Sequence, residues 1–161
     1  MPARTQDRGQ HWVWRGQAMA QFEQHRESQD HAQHHKEREL ELDGLNGNRF
    51  VLMLRQNDFN IFDFSVILGV VSKETNAVFR LRRYNGKNHE HTNRIEGDSF
   101  YNFHIHTATE RYQDLGAKEE HFAEATDRYS DLNGAVSCMF EDCSFKIPPK
   151  SQTNLFEGQI L

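Results

Sequence analysis

The residues best suited to chemistry fall in one doubled tetrad, His89-Glu90-His91-Thr92 and His104-Ile105-His106-Thr107. In an extended chain successive side chains point to opposite faces, so His104 and His106 share a face, as do His89 and His91 wherever that segment is extended. Imidazole titrates near neutrality and, when neutral, is also a common metal ligand.

Two catalytic readings follow. The first is acid–base chemistry on a phosphodiester without a cofactor. Cleavage by an adjacent 2′-hydroxyl needs a proton acceptor, a proton donor and a cation for the charge that develops on phosphorus. His104 and His106 would supply base and acid, with His89 or His91 able to complete the pair. Arg82, with Arg80 or Arg111, would clamp phosphate, and Tyr84 and Tyr112 would position the base. The partner would be RNA or a small cyclic or linear oligonucleotide. The second reading is a metalloenzyme, a hydrolase or an oxygenase, in which His89, His91, His104 and His106 bind zinc or iron, with Glu90, Glu96 and Glu110 nearby. A third, from a different class, is a non-catalytic module that binds a nucleotide or a protein on the same polar face. The arginines expected beside the histidines favour phosphate chemistry over a metal.

Alternation in the surrounding segments positions these groups. Leu40 and Leu42 alternate with acids, residues 44–48 form a turn, and residues 49–55 read as the second strand of a hairpin. Phe62, Phe64, Val66 and Leu68 line one face of a core strand. In residues 77–84, Phe79 and Leu81 are assigned to the core, leaving Arg80, Arg82 and Tyr84 opposite. In residues 100–109, Phe103 and Ile105 are the core candidates, and His104 and His106 point away from them. If these two strands pair, Arg80, Arg82, Tyr84, His104 and His106 form one polar face. The connection over residues 85–99 opens on an Asn-Gly turn signal and is long for a hairpin, a feature common in functional loops. It would carry His89 and His91 to the rim.

Helices are expected over residues 118–126 and 130–140. The second has Ser130 or Asp131 as N-cap and a stripe of Leu132, Ala135, Val136 and Met139. The fold class is therefore α+β: a curved antiparallel sheet of four or five strands, helices packed on one face and the histidine–arginine face left open. Residues 1–37 read as a polar, histidine-rich helix or linker, with Trp14, Ala18 and Phe22 on a weak stripe. Residues 38–147 form the domain, and residues 148–161 a tail.

The chain of 161 residues is long enough for one domain with its own core. A net charge of -5 provides no global field to collect phosphates, so any nucleic-acid role must rest on a local basic patch. Cys138 and Cys143 fit neither a redox nor a zinc-knuckle spacing and read as reduced thiols. No apolar run of membrane-spanning length occurs, and the first ten residues lack the apolar core of a secretion signal. A cytoplasmic protein without a membrane partner is the expectation, and a homo-oligomer is compatible with it.

Three resemblances bear on these residues. His89-Glu90-His91 with Glu96 and Gly97 is similar to part of the cupin motif, but the upstream glycine spacing and the second motif are missing. The two-histidine phosphoesterases carry H-x-T or H-x-S twice, whereas here threonine follows as H-x-H-T. The pattern from Arg82 through Tyr84-Asn85-Gly86 and the histidine-rich loop to His106 resembles a group of small bacterial proteins. That resemblance implies a bacterial or phage setting, such as phage defence, and supplies no activity.

Overall fold

The computed structural model describes residues 12–13, 35–45, 47–116, 118 and 120–146. Strand β1 (Trp12–Val13) is followed by β2 (His35–Asp43), β3 (Arg49–Asn57), β4 (Phe64–Val71) and β5 (Val78–Asn85). Next come the two-residue strands β6 (His91–Thr92) and β7 (Ser99–Phe100), then β8 (His104–Thr107), helix α1 (Glu110–Asp114), β9 (Phe122–Ala125), α2 (Leu132–Asp142) and β10 (Phe145–Lys146).

Six of these strands form one sheet in the order β2-β3-β4-β5-β8-β9, every pair antiparallel. Short pairs β6–β7 and β1–β10 stand apart from it. The α+β class holds, and the sheet has more strands than expected. The polar helix or linker expected over residues 1–37 falls largely outside the described residues, and the tail over 148–161 lies wholly outside them. The sheet begins at His35, ahead of the expected domain boundary at residue 38. Among the described residues, no helix is long and apolar enough to cross a membrane.

Strand β2 is the outer edge, and its charged sequence HKERELELD fits that place, because charges on an edge strand oppose pairing with another chain. Its Leu40 and Leu42 reach the core on one face. Strands β3 and β4 supply Phe50, Leu52, Leu54, Phe64, Val66 and Leu68 to the same face. There they meet Leu132, Ala135, Val136, Cys138 and Met139 of α2. The stripe predicted for this helix is the buried one, and Asp131 caps it, its carboxylate accepting from Gly134 N–H at 2.7 Å.

The other expected helix is not formed. Residues 122–125 are strand β9, which pairs with β8 from His104↔Ala125 to Thr107↔Phe122. Without β9 the outer edge of β8 would lack ladder partners, and the buried Ala123 fits a closely covered position. Tertiary pairing overrides the local helix preference of this segment. The two helices also divide between the faces: α2 covers the apolar core, while Tyr112 of α1 packs against His121 on the histidine side.

Strand β5 departs most from simple alternation. Leu68 pairs with Arg82 and Gly69 with Arg80, so Leu81 is an extra residue opposite a continuous β4. Such a bulge reverses the facing of everything beyond it. Arg82 and Tyr84 therefore join Leu68 and Val66 on the core side, and Leu81 also packs toward the core. Tyr84 is fully buried, and its hydroxyl donates to Asp142 of α2 at 2.7 Å.

Candidate functional site

Beyond the bulge, Arg83 and Asn85 face away from the core, and the register sets Arg83 beside His106 and Asn85 beside His104. The alternation expected for β8 holds: Phe103 and Ile105 pack toward the core, and His104 and His106 lie opposite. This polar face is not open. The connection between β5 and β8 folds over it through the β6–β7 pair and lowers His91 onto the two strand histidines. His91, His104 and His106 are 7%, 0% and 1% exposed. Each offers a ring nitrogen, and these nitrogens lie within 4.8 Å of one another.

Hydrogen bonds made by each ring determine which of its nitrogens keeps a lone pair. His104 Nδ1–H donates to the Asn102 carbonyl at 2.7 Å, and His106 Nδ1–H donates to the Glu120 carbonyl at 2.8 Å. A carbonyl only accepts, so in the neutral rings both Nε2 atoms carry lone pairs. His91 is held the other way round. Its Nε2–H donates to Asn93 Oδ1 at 3.0 Å, which leaves Nδ1 unprotonated. Burial, reinforced by neighbouring positive and imidazole groups, pushes His104 down to about 4 and His106 to about 2, so both rings are neutral at physiological pH.

The lone pairs already attract donors. Asn85 Nδ2 lies 3.3 Å from Nε2 of His104 and 3.3 Å from Nε2 of His106, and Arg83 Nη2 lies 3.2 Å from the latter. The other end of the Asn85 amide, Oδ1, is buried without a partner. The Tyr129 hydroxyl sits against the carbonyls of Asn85 and His104, at 3.0 and 2.8 Å, and so ties together the strand ends that present this amide and this ring.

A cleft of about 340 Å3 opens beside the centre, lined by Arg83, His91, Arg94, His106, Lys118, Glu120 and His121. Glu120 is 1% exposed; its Oε1 accepts from Arg80 at 3.0 Å, while its Oε2 has no partner. Burial and the nearby Arg94 lower the His121 pKa, and the ring stacks on Tyr112 with 5.8 Å between centroids.

The predicted site residues thus divide. His91, His104 and His106 come together, and His89 stays at the exposed rim with its ring 5.5 Å from His104. The rim position expected for His91 is corrected, because β6 carries that ring inward. Arg82 and Tyr84 are on the opposite face, bound to Asp142, so neither meets a ligand of the histidines. Arg80 reaches the site indirectly through Glu120. Arg111 is an exposed partner of Glu96, and Tyr112 is buried with its hydroxyl donating to Glu96 at 2.7 Å, which leaves no face for stacking a base. Alternation and motif spacing do not point to Arg83, Asn93, Glu120 or His121, and they mark Asn85 only as part of a turn signal. No protein-family model, curated protein or solved structure matches the chain.

Proposed function

We propose that His91, His104 and His106 hold a divalent transition metal and that the chain is a metalloenzyme, most simply a hydrolase. The observation that carries this reading is the shared arrangement of the three rings: each commits one nitrogen to a fixed oxygen and keeps a lone pair on the other, and the three rings bring one nitrogen apiece within 4.8 Å of one another. Such outer hydrogen bonds fix the tautomer and orientation of metal-bound histidines. Nitrogens around a tetrahedral zinc lie about 3.3 Å apart, so a modest contraction of the present spacing is enough. Turning the Asn85 amide would replace its donor with the unpartnered oxygen, which can face a cation.

Three protein nitrogens with one position left open is a catalytic rather than a structural zinc arrangement. The common oxygenase site of non-haem iron replaces one histidine with a carboxylate, so zinc suits this set better than iron. A metal here would polarise a carbonyl or phosphoryl oxygen and acidify water. The chain's own part is to orient the three rings, bury them, and bring substrate in through the cleft, where Glu120 Oε2 is available to accept a proton.

Metal content measured before and after chelator treatment tests the reading. About one zinc or iron per chain is expected, removed by chelator and absent from His91→Ala, His104→Ala and His106→Ala. A chain that takes up neither metal from micromolar solution overturns it.

Metal-free phosphodiester cleavage is the second reading, favoured by the contact of Arg83 with His106. His104 and His106 are neutral at physiological pH, so in this reading they would act as bases and the proton donor would have to be another group. Turnover of RNA or a cyclic oligonucleotide in the presence of chelator would establish this alternative.

A further inference from the structure

The chain carries net charge -5, yet among the described residues the cleft beside the histidines is lined by Arg83, Arg94 and Lys118 with Glu120 as the one acidic side chain. The negative charge of Glu120 is already engaged, since its Oε1 accepts from Arg80 at 3.0 Å. The same oxygen forms a long ion pair with Arg83 Nη1 at 3.9 Å, beyond hydrogen-bond length. Arg83 spends Nη2 on a neutral imidazole, and its Nε is buried without any acceptor. Among the described residues, no anion hydrogen-bonds this largely buried guanidinium. Burying a cation in that state is costly, and a planar guanidinium is shaped to grip a carboxylate or phosphate with two parallel bonds. Arg94 and Lys118 add positive charge at the same opening. A volume of about 340 Å3 suits a small molecule rather than a polymer strand.

We infer that this cleft binds a small molecule through an oxyanion group, carboxylate or phosphate, with Arg83 as the clamp and Arg94 and Lys118 as the flanking charges. The inference gives the proposed metalloenzyme its substrate class, but the anion site is built from side chains that do not ligate the metal. It can therefore be tested with the metal removed.

Calorimetric titration of the full chain with inorganic phosphate and, separately, with acetate is the experiment, each on chelator-treated and on zinc-loaded protein. Saturable binding of one anion per chelator-treated chain is expected, weakened about ten-fold or more in Arg83→Gln and by several-fold in Arg94→Gln and Lys118→Gln. Tighter binding of phosphate than of acetate identifies a phosphate-bearing substrate, and the reverse order a carboxylate. Arg94 and Lys118 are exposed, so their variants remain informative if Arg83→Gln fails to fold. Zinc uptake without binding of either anion overturns the inference and leaves the metal centre standing. Anion binding without zinc uptake does the opposite. Binding unchanged in all variants that fold also overturns the inference.

Discussion

The side chain of Asn93 pairs with the backbone of Ala123 as a neighbouring strand would: Oδ1 accepts from Ala123 N–H at 2.9 Å, and Nδ2 donates to the Ala123 carbonyl at 2.8 Å. The two bonds fix which end of the amide is oxygen, and that oxygen then dictates the proton position on His91. One asparagine thus connects strand β9 to the covering loop and sets the tautomer of a central ring. Replacing it with alanine strands two backbone groups and one imidazole N–H. Asn93→Ala should cost about 2 kcal/mol in urea unfolding and weaken zinc binding about ten- to a hundred-fold in a competition titration. Unchanged zinc affinity in a folded variant would show that His91 does not depend on this support.

Tautomers can be observed directly. Nitrogen-15 spectra of the chelator-treated chain at neutral pH should show His104 and His106 protonated on Nδ1 and His91 on Nε2. Zinc addition should then shift Nε2 of the first two and Nδ1 of the third. A His91 signal with its proton on Nδ1 would contradict the donation to Asn93 and leave no lone pair on Nδ1 for a metal.

The sequence made the face of β8 legible because strict alternation continues through Phe103, His104, Ile105 and His106. On β5 simple alternation runs across a bulge, and so it points to Arg82 and Tyr84 in place of Arg83 and Asn85. A local sign was present: a glycine inside a strand often marks a bulge or a close approach, and Gly69 lies at that step. A side chain at Gly69 would run into Val78. His91 was unreadable for a different reason. The loop's descent onto the sheet depends on Asn93 meeting Ala123, a contact between residues 30 positions apart that no local period reveals. His121 is hidden because the local sequence of its segment favours helix, which obscures its place beside the β8–β9 pair.

Gly86 ends β5 immediately after Asn85, and its N–H donates to the Phe64 carbonyl at 3.0 Å. A methyl group at this position would collide with the backbone carbonyl of Phe62, which cannot move aside as a flexible side chain could. Gly86→Ala is therefore expected to destabilise the chain by about 3 kcal/mol and to lower zinc occupancy by displacing the adjacent amide. Urea midpoints beside metal content would check both effects. A variant as stable as wild type would show that the β5 end can shift without cost.

The acid limb of stability should depend on Asp142. Its carboxylate accepts from Arg128 at 2.9 and 2.7 Å, from Tyr84 at 2.7 Å and from Arg82 at 3.3 Å. Burial opposes its ionisation, but the bonds from Arg128 and Tyr84 and the two guanidinium charges outweigh that, and the net pKa is lowered. The folded value therefore lies below the unfolded one. Its contribution is fully present above the unfolded carboxylate pKa of about 4 and is lost as pH falls through the folded value. Asp142→Asn should cost about 2 kcal/mol at neutral pH, and the difference from wild type should shrink toward zero as the solution is acidified. Urea unfolding of both proteins across a pH series measures this, and a constant gap at every pH would sink the assignment. Because Arg82 and Tyr84 belong to this network on the helix side of the sheet, phosphate and zinc affinity should not change in the folded variant.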